Sequence, residues 1–370
     1  MEYKKCKLKE LLTIKNGKDH KKLAEGDYPV YGSGGYMRSV NSFLYDRTSI
    51  LLPRKGTLSN IQYVSGNPFW TVDTIYYTVL NENLYDPYYL FLYLNALDLS
   101  GYDSGASIPS MTSKTYYSLN VELPEKKIQA KVANTIRAYD NLIENNNKRI
   151  KLLEQMAENL YKEWFVRFRF PGYEDIEFEE KKPRSWKVGT EEKKHLTPSI
   201  FKYDEFKNIG SFLRGKNITA VKMVEGYIPV ISAGVQPSGY HNEANVFGES
   251  LTISASGANA GYLQYHLQDI WAADCSYYQD DAIIWFVYNT LKFLQPVISN
   301  LQCGAAQPHV YPKNINKLCV LIPTEELIYK YNDFVKPYYD EIKILNQRNQ
   351  LLTKQRDLLL PRLMSGRLEV

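Results

Sequence analysis

The chain has 370 residues, a net charge of only +4, 44% apolar and 23% charged residues, a composition typical of a globular protein with two or three domains. It contains no apolar run long enough to span a membrane, and its charged start, MEYKKCKLKE, is unlike a signal peptide. The four cysteines and five histidines are scattered, so we expect neither a disulfide framework nor a metal site, and we expect a cytoplasmic location.

Residues 1–124 predict a first mixed α+β domain. The apolar runs TSILLP (48–53) and DTIYYTVL (73–80), broken by Gly, Pro and Asn, indicate strands. DPYYLFLYLN (86–95) predicts a helix opened by Asp86, with proline in the first turn.

A long helix is predicted over residues 125–170. Its apolar positions alternate in steps of three and four, the spacing of a coiled coil. A helix from 125 to 167 would be about 60 Å long at ~1.5 Å per residue. The alternative is that the helix packs only on its own globular part. The positions are Tyr139, Ile143, Asn146, Ile150, Leu153, Ala157, Leu160 and Trp164.

A second domain is predicted over 171–322, followed by a second long helix over 323–370. The acidic segment YEDIEFEEKK (173–182) is interpreted as a solvated linker, and AIIWFVY (282–288) as a strand. The last helix repeats the coiled-coil spacing, and its tail, LLPRLMSGRLEV, is a candidate for docking partner subunits. The positions of its stripe are Ile328, Tyr331, Val335, Tyr338, Ile342, Leu345, Asn349, Leu352, Arg356, Leu359 and Leu363.

The second half of the chain repeats the first. YPVYGSGGY at 28–36 returns as YIPVISAGV at 227–235, and WTVDTIYY at 70–77 returns as WAADCSYY at 271–278. GASIPS and VELPEKKI also recur, as GAAQPH and VLIPTEEL, all at a nearly constant offset. A duplication predicts two similar globular domains separated by two long antiparallel coiled-coil helices, with a pseudo-two-fold axis.

Two asparagines interrupt the apolar stripes. Asn146 occupies a d-type position and Asn349 an a-type position, and antiparallel pairs place a opposite d. We therefore expect the two amides to meet and to fix the helix register. Replacing both by Leu is predicted to stabilise the pair and to loosen its register.

Searches for an active site find only weak matches. NPFW (67–70) and DPYY (86–89) lack the second proline of the methyltransferase motif that holds a flipped adenine. LPRKGT and GSGG do not have the spacing of a phosphate-binding loop, and no serine lies in a nucleophile elbow. An autonomous DNA adenine methyltransferase or nuclease stays open as an alternative, as does a coiled-coil scaffold without a DNA role.

The sequence resembles the specificity subunit of a type I restriction–modification enzyme over essentially its whole length. The strings that carry the resemblance are YPVYGSGGYM, ILLPRKGTLSNI, FWTVDTIYY, the long segment 123–174 and the terminal LLLPRLMSGRLEV. One departure is KKPRSWKVGT (181–190), where relatives often have a Pro-Glu/Asp-Gly-Trp turn. This departure leaves open where the first strand of the second domain begins.

The resemblance implies a chain without catalytic activity of its own. Each domain would read one half of a split double-stranded DNA site, and the helices would set the unread spacer. Two methylation subunits would dock on the helices, and restriction subunits would join them. Truncation after Leu359 is predicted to weaken assembly with the methylation subunit while leaving domain folding largely intact. S-adenosylmethionine, ATP and Mg²⁺ would act on those partner subunits, and this chain would hold no cofactor.

Candidate DNA contacts are loop residues whose chemistry differs between the two copies, because loops on a shared scaffold can read different half-sites. Arg54 suits guanine, and Asn259 or Gln307 suits adenine. Trp70 and Trp271, with Asp73 and Asp274, recur in both copies and are interpreted as scaffold, with the aromatic rings buried. Lys18, Lys55, Arg214 and Lys216 are candidates for phosphate contacts. The remaining candidates are Thr57, Asn60, Ser107, Ser110, Ser256 and His309.

Overall fold

A computed structural model describes residues 3–99, 109–181, 195–302 and 308–369. The chain forms two compact units, the first containing residues 1–145 and 349–370 and the second residues 146–348. Each unit combines strands and helices, so the mixed α/β prediction is confirmed. Within the described residues, no helix combines the length and apolar character needed to cross a bilayer.

The described residues of the first unit form three small sheets. One has the strand order β2–β8–β5–β6, the second has the order β4–β3–β7, and β1 pairs with β9. Strands β3 and β7 run parallel, with Val30 opposite Trp70. The strands are β1 (Lys4–Lys7), β2 (Leu12–Asn16), β3 (Tyr28–Gly32), β4 (Gly35–Val40), β5 (Ser49–Pro53), β6 (Gln62–Val64), β7 (Trp70–Thr71), β8 (Ile75–Leu80) and β9 (Asn120–Leu123).

The second unit repeats this topology strand by strand. Its sheets have the orders β13–β19–β16–β17 and β15–β14–β18, and β12 pairs with β20. The parallel pair is β14 with β18, where Val230 lies opposite Trp271. The strands are β10 (Phe178–Lys181), β11 (His195–Pro198), β12 (Lys202–Glu205), β13 (Leu213–Arg214), β14 (Ile228–Ile231), β15 (Gly239–His241), β16 (Ser250–Ser254), β17 (Leu263–His266), β18 (Trp271–Ala272), β19 (Cys275–Tyr278) and β20 (Cys319–Ile322).

The helix predicted over residues 86–95 is present, and it begins after the predicted capping residue. Asp86 caps the helix that begins at Pro87: its carboxylate accepts the N–H groups of Tyr88 and Tyr89 at 2.9 and 3.0 Å. The first long helix continues into a π-helical turn at Lys162–Val166. The helices are α1 (Pro87–Asn95), α2 (Ser113–Ser118), α3 (Lys126–Tyr161), α4 (Ile284–Phe293), α5 (Gln295–Ser299), α6 (Pro312–Asn316) and α7 (Glu325–Met364).

The predicted stripes of α3 and α7 are buried or half-buried at every position. In the second unit, Arg149 pairs with Glu341 at 2.8 Å, and the Tyr331 hydroxyl donates to the Ala157 carbonyl at 2.9 Å. From Arg149 to Ala157 the residue numbers rise along α3, while those of the partners on α7 fall from Glu341 to Tyr331. The antiparallel pairing is therefore present within this unit.

In the first unit, Arg356 of α7 pairs with Asp140 of α3 at 2.6 Å. Leu363 is buried in the same core as Val132 and Ile136. Both long helices thus pack on the globular parts as well as on each other, so neither helix packs only on its own globular part.

The segment 282–288 was predicted as a strand, and this prediction is wrong. Residues 284–293 form α4, in which Ile284 to Leu291 are all buried. A helix that is covered on every side has no polar face, so its sequence shows no helical period. The ring of Trp285 stacks on Tyr339 of α7 with centroids 3.6 Å apart.

The interpretation of 173–182 as a solvated linker is also wrong in part. Its end forms β10, which pairs with β11 from Phe178↔Pro198 to Lys181↔His195. The strand equivalent to β1 is β12, because it pairs with β20 as β1 pairs with β9. An additional hairpin therefore precedes the repeat in the second unit.

Candidate nucleic-acid interface

Three segments of the first unit that are distant in sequence meet at the end of β5. The N–H of Arg54 donates to the Thr74 carbonyl at 2.9 Å, and the N–H of Met111 donates to the Arg54 carbonyl at 3.0 Å. The next residue, Lys55, forms an isolated antiparallel bridge with Ser110. The end of β5 is thus held on both sides by backbone contacts.

Gly56 allows this strand end to turn. Its φ is +88°, a conformation that favours glycine, and its N–H donates to the Pro109 carbonyl at 2.9 Å. The β3–β4 turn joins the same surface, because the Asn60 amide donates to the Ser33 carbonyl at 2.7 Å. We call this surface the first loop cluster. Its segments are 33–34, 54–60, 73–74 and 109–111.

The first loop cluster is cationic. One guanidinium nitrogen of Arg54 lies 3.4 Å from the Asp73 carbonyl, and the guanidinium carbon lies 5.9 Å from the centre of the Tyr76 ring. Lys55 and Thr57 are exposed beside it. Among the described residues these contacts of Arg54 are weak, and a guanidinium held in this way at a loop surface can reach a base edge or a phosphate.

The second unit builds the same surface at the end of β16. The N–H of Ala255 donates to the Asp274 carbonyl at 3.2 Å, and the N–H of Val310 donates to the Ala255 carbonyl at 3.0 Å. Ser256 forms the bridge with His309 that corresponds to Lys55 with Ser110. The backbone contacts are conserved between the units while the side chains change.

Gly257 takes the place of Gly56. Its φ is +75°, and its N–H donates to the Pro308 carbonyl at 3.1 Å. We call this surface the second loop cluster. Its segments are 254–259, 273–274 and 308–311.

The second loop cluster carries a different charge arrangement. The Asp274 carboxylate accepts hydrogen bonds from the Arg214 guanidinium and from the Ser256 hydroxyl. The His309 ring stacks on Tyr311, with the two planes 14° apart. Arg214 is therefore ion-paired, in contrast to Arg54, so the two clusters present different hydrogen-bonding groups.

The repeated tryptophans have a shared role. Trp70 donates from its indole N–H to the Lys18 carbonyl at 2.9 Å, and Trp271 donates to the Lys216 carbonyl at 2.8 Å. Both rings are half-buried rather than buried, which corrects the sequence interpretation, since each lies on the two-residue edge strand of a three-stranded sheet, next to an exposed segment. The expected local hydrogen bonding is present, and it fixes the backbone that carries the two lysines.

Comparison with known proteins identifies the fold and its duplication. A family model described as a type I restriction modification DNA specificity domain matches residues 1–155 and again residues 200–354. The chain belongs to the type I restriction–modification specificity subunits.

Relatives of this specificity subunit match it over different shares of its length. The specificity subunit of the type I restriction enzyme MjaIX from Methanocaldococcus jannaschii is 25% identical over 380 residues, covering 95% of this chain and 86% of that protein. The HindI specificity subunit from Haemophilus influenzae is 33% identical over 94 residues, covering 24% of this chain and 20% of that protein.

A solved structure shares the fold. The crystal structure of a type I restriction–modification S subunit from M. genitalium has a TM-score of 0.63 and 18% identity, and it covers 98% of this chain and 96% of that chain. At this level of identity the similarity concerns the fold.

The specificity subunit places the predicted contact residues in two groups. Arg54, Lys55, Thr57, Asn60 and Ser110 lie in the first loop cluster, where the Asn60 side chain is used to hold the β3–β4 turn. Ser107 and Gln307 lie outside the described residues.

In the second loop cluster, Ser256 and His309 meet and Asn259 is exposed on a short turn. Arg214 joins this cluster through Asp274. Lys18 and Lys216 are exposed at the positions of the two tryptophan contacts, and the Lys216 ammonium lies 6.0 Å from the centre of the Trp271 ring.

Sequence reasoning missed three contributors to these surfaces. Ser33 and Thr74 bring the β3–β4 turn to the first cluster through a 3.3 Å hydrogen bond from the Ser33 N–H to the Thr74 hydroxyl. Asp274 was interpreted as scaffold only, although its carboxylate meets two predicted contact residues. The repeat offered a signal, since Asp73 and Asp274 match while the residues around them differ.

The asparagines of the long helices interrupt apolar surfaces as expected. Asn146 is 8% exposed and Asn349 is half-buried. Their pairing stays a prediction.

The described residues contain no group of three or more His, Cys, Asp or Glu side chains arranged to hold a metal ion.

Burial raises the pKa of the Cys275 thiol to about 12, so this thiol stays protonated near neutral pH.

Proposed function

We propose that this specificity subunit reads a bipartite double-stranded DNA site, with one unit on each half-site, and that the chemistry occurs on partner subunits. The observation that carries the proposal is the pair of loop clusters. The same backbone contacts hold loops of different chemistry: Arg54–Lys55 in the first unit and Ala255–Ser256 in the second. A common scaffold with different side chains suits the reading of two different sequences.

In the first half-site, we assign base recognition to Arg54. Its guanidinium can donate two parallel hydrogen bonds to O6 and N7 of guanine. Lys55 and Lys18 are exposed and carry no carboxylate partner among the described residues, which suits phosphate contacts. In the second half-site, Asn259 suits adenine, and Lys216 suits a phosphate.

The long helices supply the second part of the proposed function. We assign to them the spacing between half-sites and the docking of two methylation subunits. Exposed apolar side chains recur every seven residues along α7, at Ile344, Leu351 and Leu358, and such a stripe favours a protein partner. Restriction subunits would complete the enzyme, and S-adenosylmethionine, ATP and Mg²⁺ would act on the partners.

The test of DNA reading is methylome sequencing of cells that carry this chain with its methylation subunits. We expect a bipartite adenine-methylation motif that disappears when the gene is deleted. Arg54→Ala should relax the first half-site at one base pair, by about 1–3 kcal/mol of discrimination. Lys127→Ala removes an exposed cation from the same unit at the start of α3, and this control should leave the motif unchanged.

Two results would contradict the proposal. Methylation of DNA by the purified chain with S-adenosylmethionine alone would make it an autonomous enzyme. Binding to DNA without sequence preference at every salt concentration would favour a scaffold without a reading role.

A further inference from the structure

We infer that Asp274 is a positioning residue for base recognition: its carboxylate, held by the Ser256 hydroxyl, orients the Arg214 guanidinium toward the second half-site. The inference rests on the proposed function of the second unit as a DNA reader. It adds to that function a residue that points a reading side chain without itself contacting DNA, and it assigns Arg214 to a guanine edge in place of a phosphate.

The Asp274 carboxylate joins three separate parts of the second unit. Oδ1 accepts from Nη2 of Arg214, at the end of β13, and Oδ2 accepts from Oγ of Ser256, after β16. Asp274 itself directly precedes β19. Both carboxylate oxygens are therefore used, and each holds a side chain from a different strand end.

The exposures of these side chains show which one faces outward. The Arg214 side chain is 40% exposed and that of Asp274 is 25% exposed, while Ser256 is buried. Arg214 thus extends over the carboxylate toward solvent. A guanidinium has five N–H donors, so one bond to Asp274 leaves enough donors for the paired acceptors of guanine.

The value of this contact lies in orientation more than in folding stability. A half-exposed ion pair contributes little to the free energy of unfolding. Ordering a long arginine side chain before DNA arrives, however, removes an entropy cost that binding would otherwise carry. A fixed fork also discriminates better among base edges than a mobile charge does.

The first unit lacks this arrangement. The aspartate that matches Asp274 in the sequence repeat is Asp73, but in the structure Thr74 takes this place, because the Arg54 N–H donates to the Thr74 carbonyl as the Ala255 N–H donates to the Asp274 carbonyl. Asn16 takes the place of Arg214, since Asn16 lies opposite Tyr76 on β8 as Arg214 lies opposite Ser276 on β19. Among the described residues, Arg54 approaches from the end of β5 and contacts the backbone carbonyl of Asp73 and the Tyr76 ring. The control is Asp175→Asn, which alters an exposed aspartate of the second unit outside both loop clusters.

The experiment uses the complex of this chain with its methylation subunits. Duplex DNAs that vary each base pair of the second half-site are methylated with S-adenosylmethionine, and their rates are compared. Asp274→Asn and Arg214→Ala should each relax discrimination at the same base pair by roughly ten- to a hundredfold. The double variant should be no more relaxed than Arg214→Ala, and Asp175→Asn should match the wild type.

A role in folding alone, or a phosphate contact by Arg214, would lower methylation of all the duplexes to the same degree. Either that result or unchanged discrimination in Asp274→Asn would overturn the inference. Should Asp274→Asn fail to fold, Ser256→Ala decides the question. This variant frees one carboxylate oxygen and should relax the same base pair, and full discrimination in it would count against Asp274 as a positioning residue.

Failure of the proposed function gives a different result. A wild-type complex that methylates no bipartite adenine motif would refute DNA reading by the two units. A clear wild-type motif with unaltered discrimination in the Asp274 and Ser256 variants would overturn only the positioning role.

Discussion

Gly17→Ala is expected to disrupt the segment that carries Lys18. A Cβ atom at Gly17 would lie 2.0 Å from the Val72 carbonyl oxygen and 2.7 Å from the Thr71 carbonyl oxygen. Both neighbours are backbone atoms, so no side chain can rotate to make room. The two chain segments must separate by about 1.4 Å to reach an ordinary contact of 3.4 Å.

This separation would break two hydrogen bonds. The Lys18 N–H donates to the Thr71 carbonyl at 2.8 Å, and the Trp70 indole donates to the Lys18 carbonyl at 2.9 Å. Each bond contributes about 0.5–1.5 kcal/mol, and overpacking costs about 1–3 kcal/mol more. The loss of chain entropy in the unfolded state returns about 0.4–1 kcal/mol. We expect a net destabilisation of about 3 kcal/mol.

The assay is hydrogen exchange of the intact chain followed by mass spectrometry, with peptides that cover residues 12–18 and 70–72. These peptides should lose protection in Gly17→Ala, and the first half-site should lose methylation specificity. Gly34→Ala is the control, because a Cβ there meets no atom within 4 Å. Gly215→Ala should show the same loss in the second unit, where the Cβ would lie 2.4 Å from the Ala273 carbonyl. Wild-type protection in Gly17→Ala would refute the close backbone approach.

Three further predictions concern stability and assembly. Burial lowers the pKa of His266 to about 4, so the stability that the neutral ring contributes is complete above pH ~6.5 and is lost as the pH falls toward 4, by roughly 2–3 kcal/mol. Burial raises the pKa of the Glu249 carboxyl, so this group changes the free energy of unfolding with pH in the opposite direction. Urea unfolding of the wild type should therefore be compared with that of His266→Gln over this pH range. Equal pH dependence of the free energy of unfolding in the two proteins would contradict the role given to His266. Asp140→Ala leaves Arg356 without its 2.6 Å partner and should destabilise the first unit by about 1–3 kcal/mol in urea unfolding, whereas a change below 0.5 kcal/mol would mean that solvent replaces the carboxylate. Leu358→Ser alters a side chain that is 59% exposed and should weaken assembly with the methylation subunit in size-exclusion chromatography without changing the unfolding temperature; full assembly would exclude this face from docking.

Docking by the C-terminal helix is tested with the substitution Leu358→Ser rather than with a truncation of the C-terminal tail. Truncation after Leu359 was expected to spare domain folding, and the structure contradicts this expectation. Leu363 is 3% exposed in the core of the first unit, and the Tyr3 hydroxyl donates to the Met364 carbonyl at 3.0 Å. The tail is part of the fold because its apolar residues complete that core.

Segments with a clear hydrophobic period or a helix-capping residue were predicted correctly because these signals depend only on residues close together in the sequence. The three-four spacing gives the buried stripes of α3 and α7, and Asp86 followed by proline marks the start of α1. By contrast, α4 was predicted as a strand because burial on every side removes the polar face that reveals a helix. The β10 strand was missed because its pairing partner, β11, begins only at His195, and the residues between the two strands carry no strand signal in the sequence.

The sequence by itself determined the duplication and the equivalence of the two loop clusters, since repeated residues at a constant offset require no structure to be recognised. Its resemblance to known specificity subunits indicated the family. It could not decide which loop side chains meet. Asp274 and Arg214 are 60 residues apart, and Ser33 and Asn60 are 27 residues apart. Such contacts depend on how separate strand ends converge, and only the tertiary structure fixes that convergence. The tertiary structure also decides the different surroundings of the two arginines: Arg54 faces a backbone carbonyl, and Arg214 is held by a carboxylate.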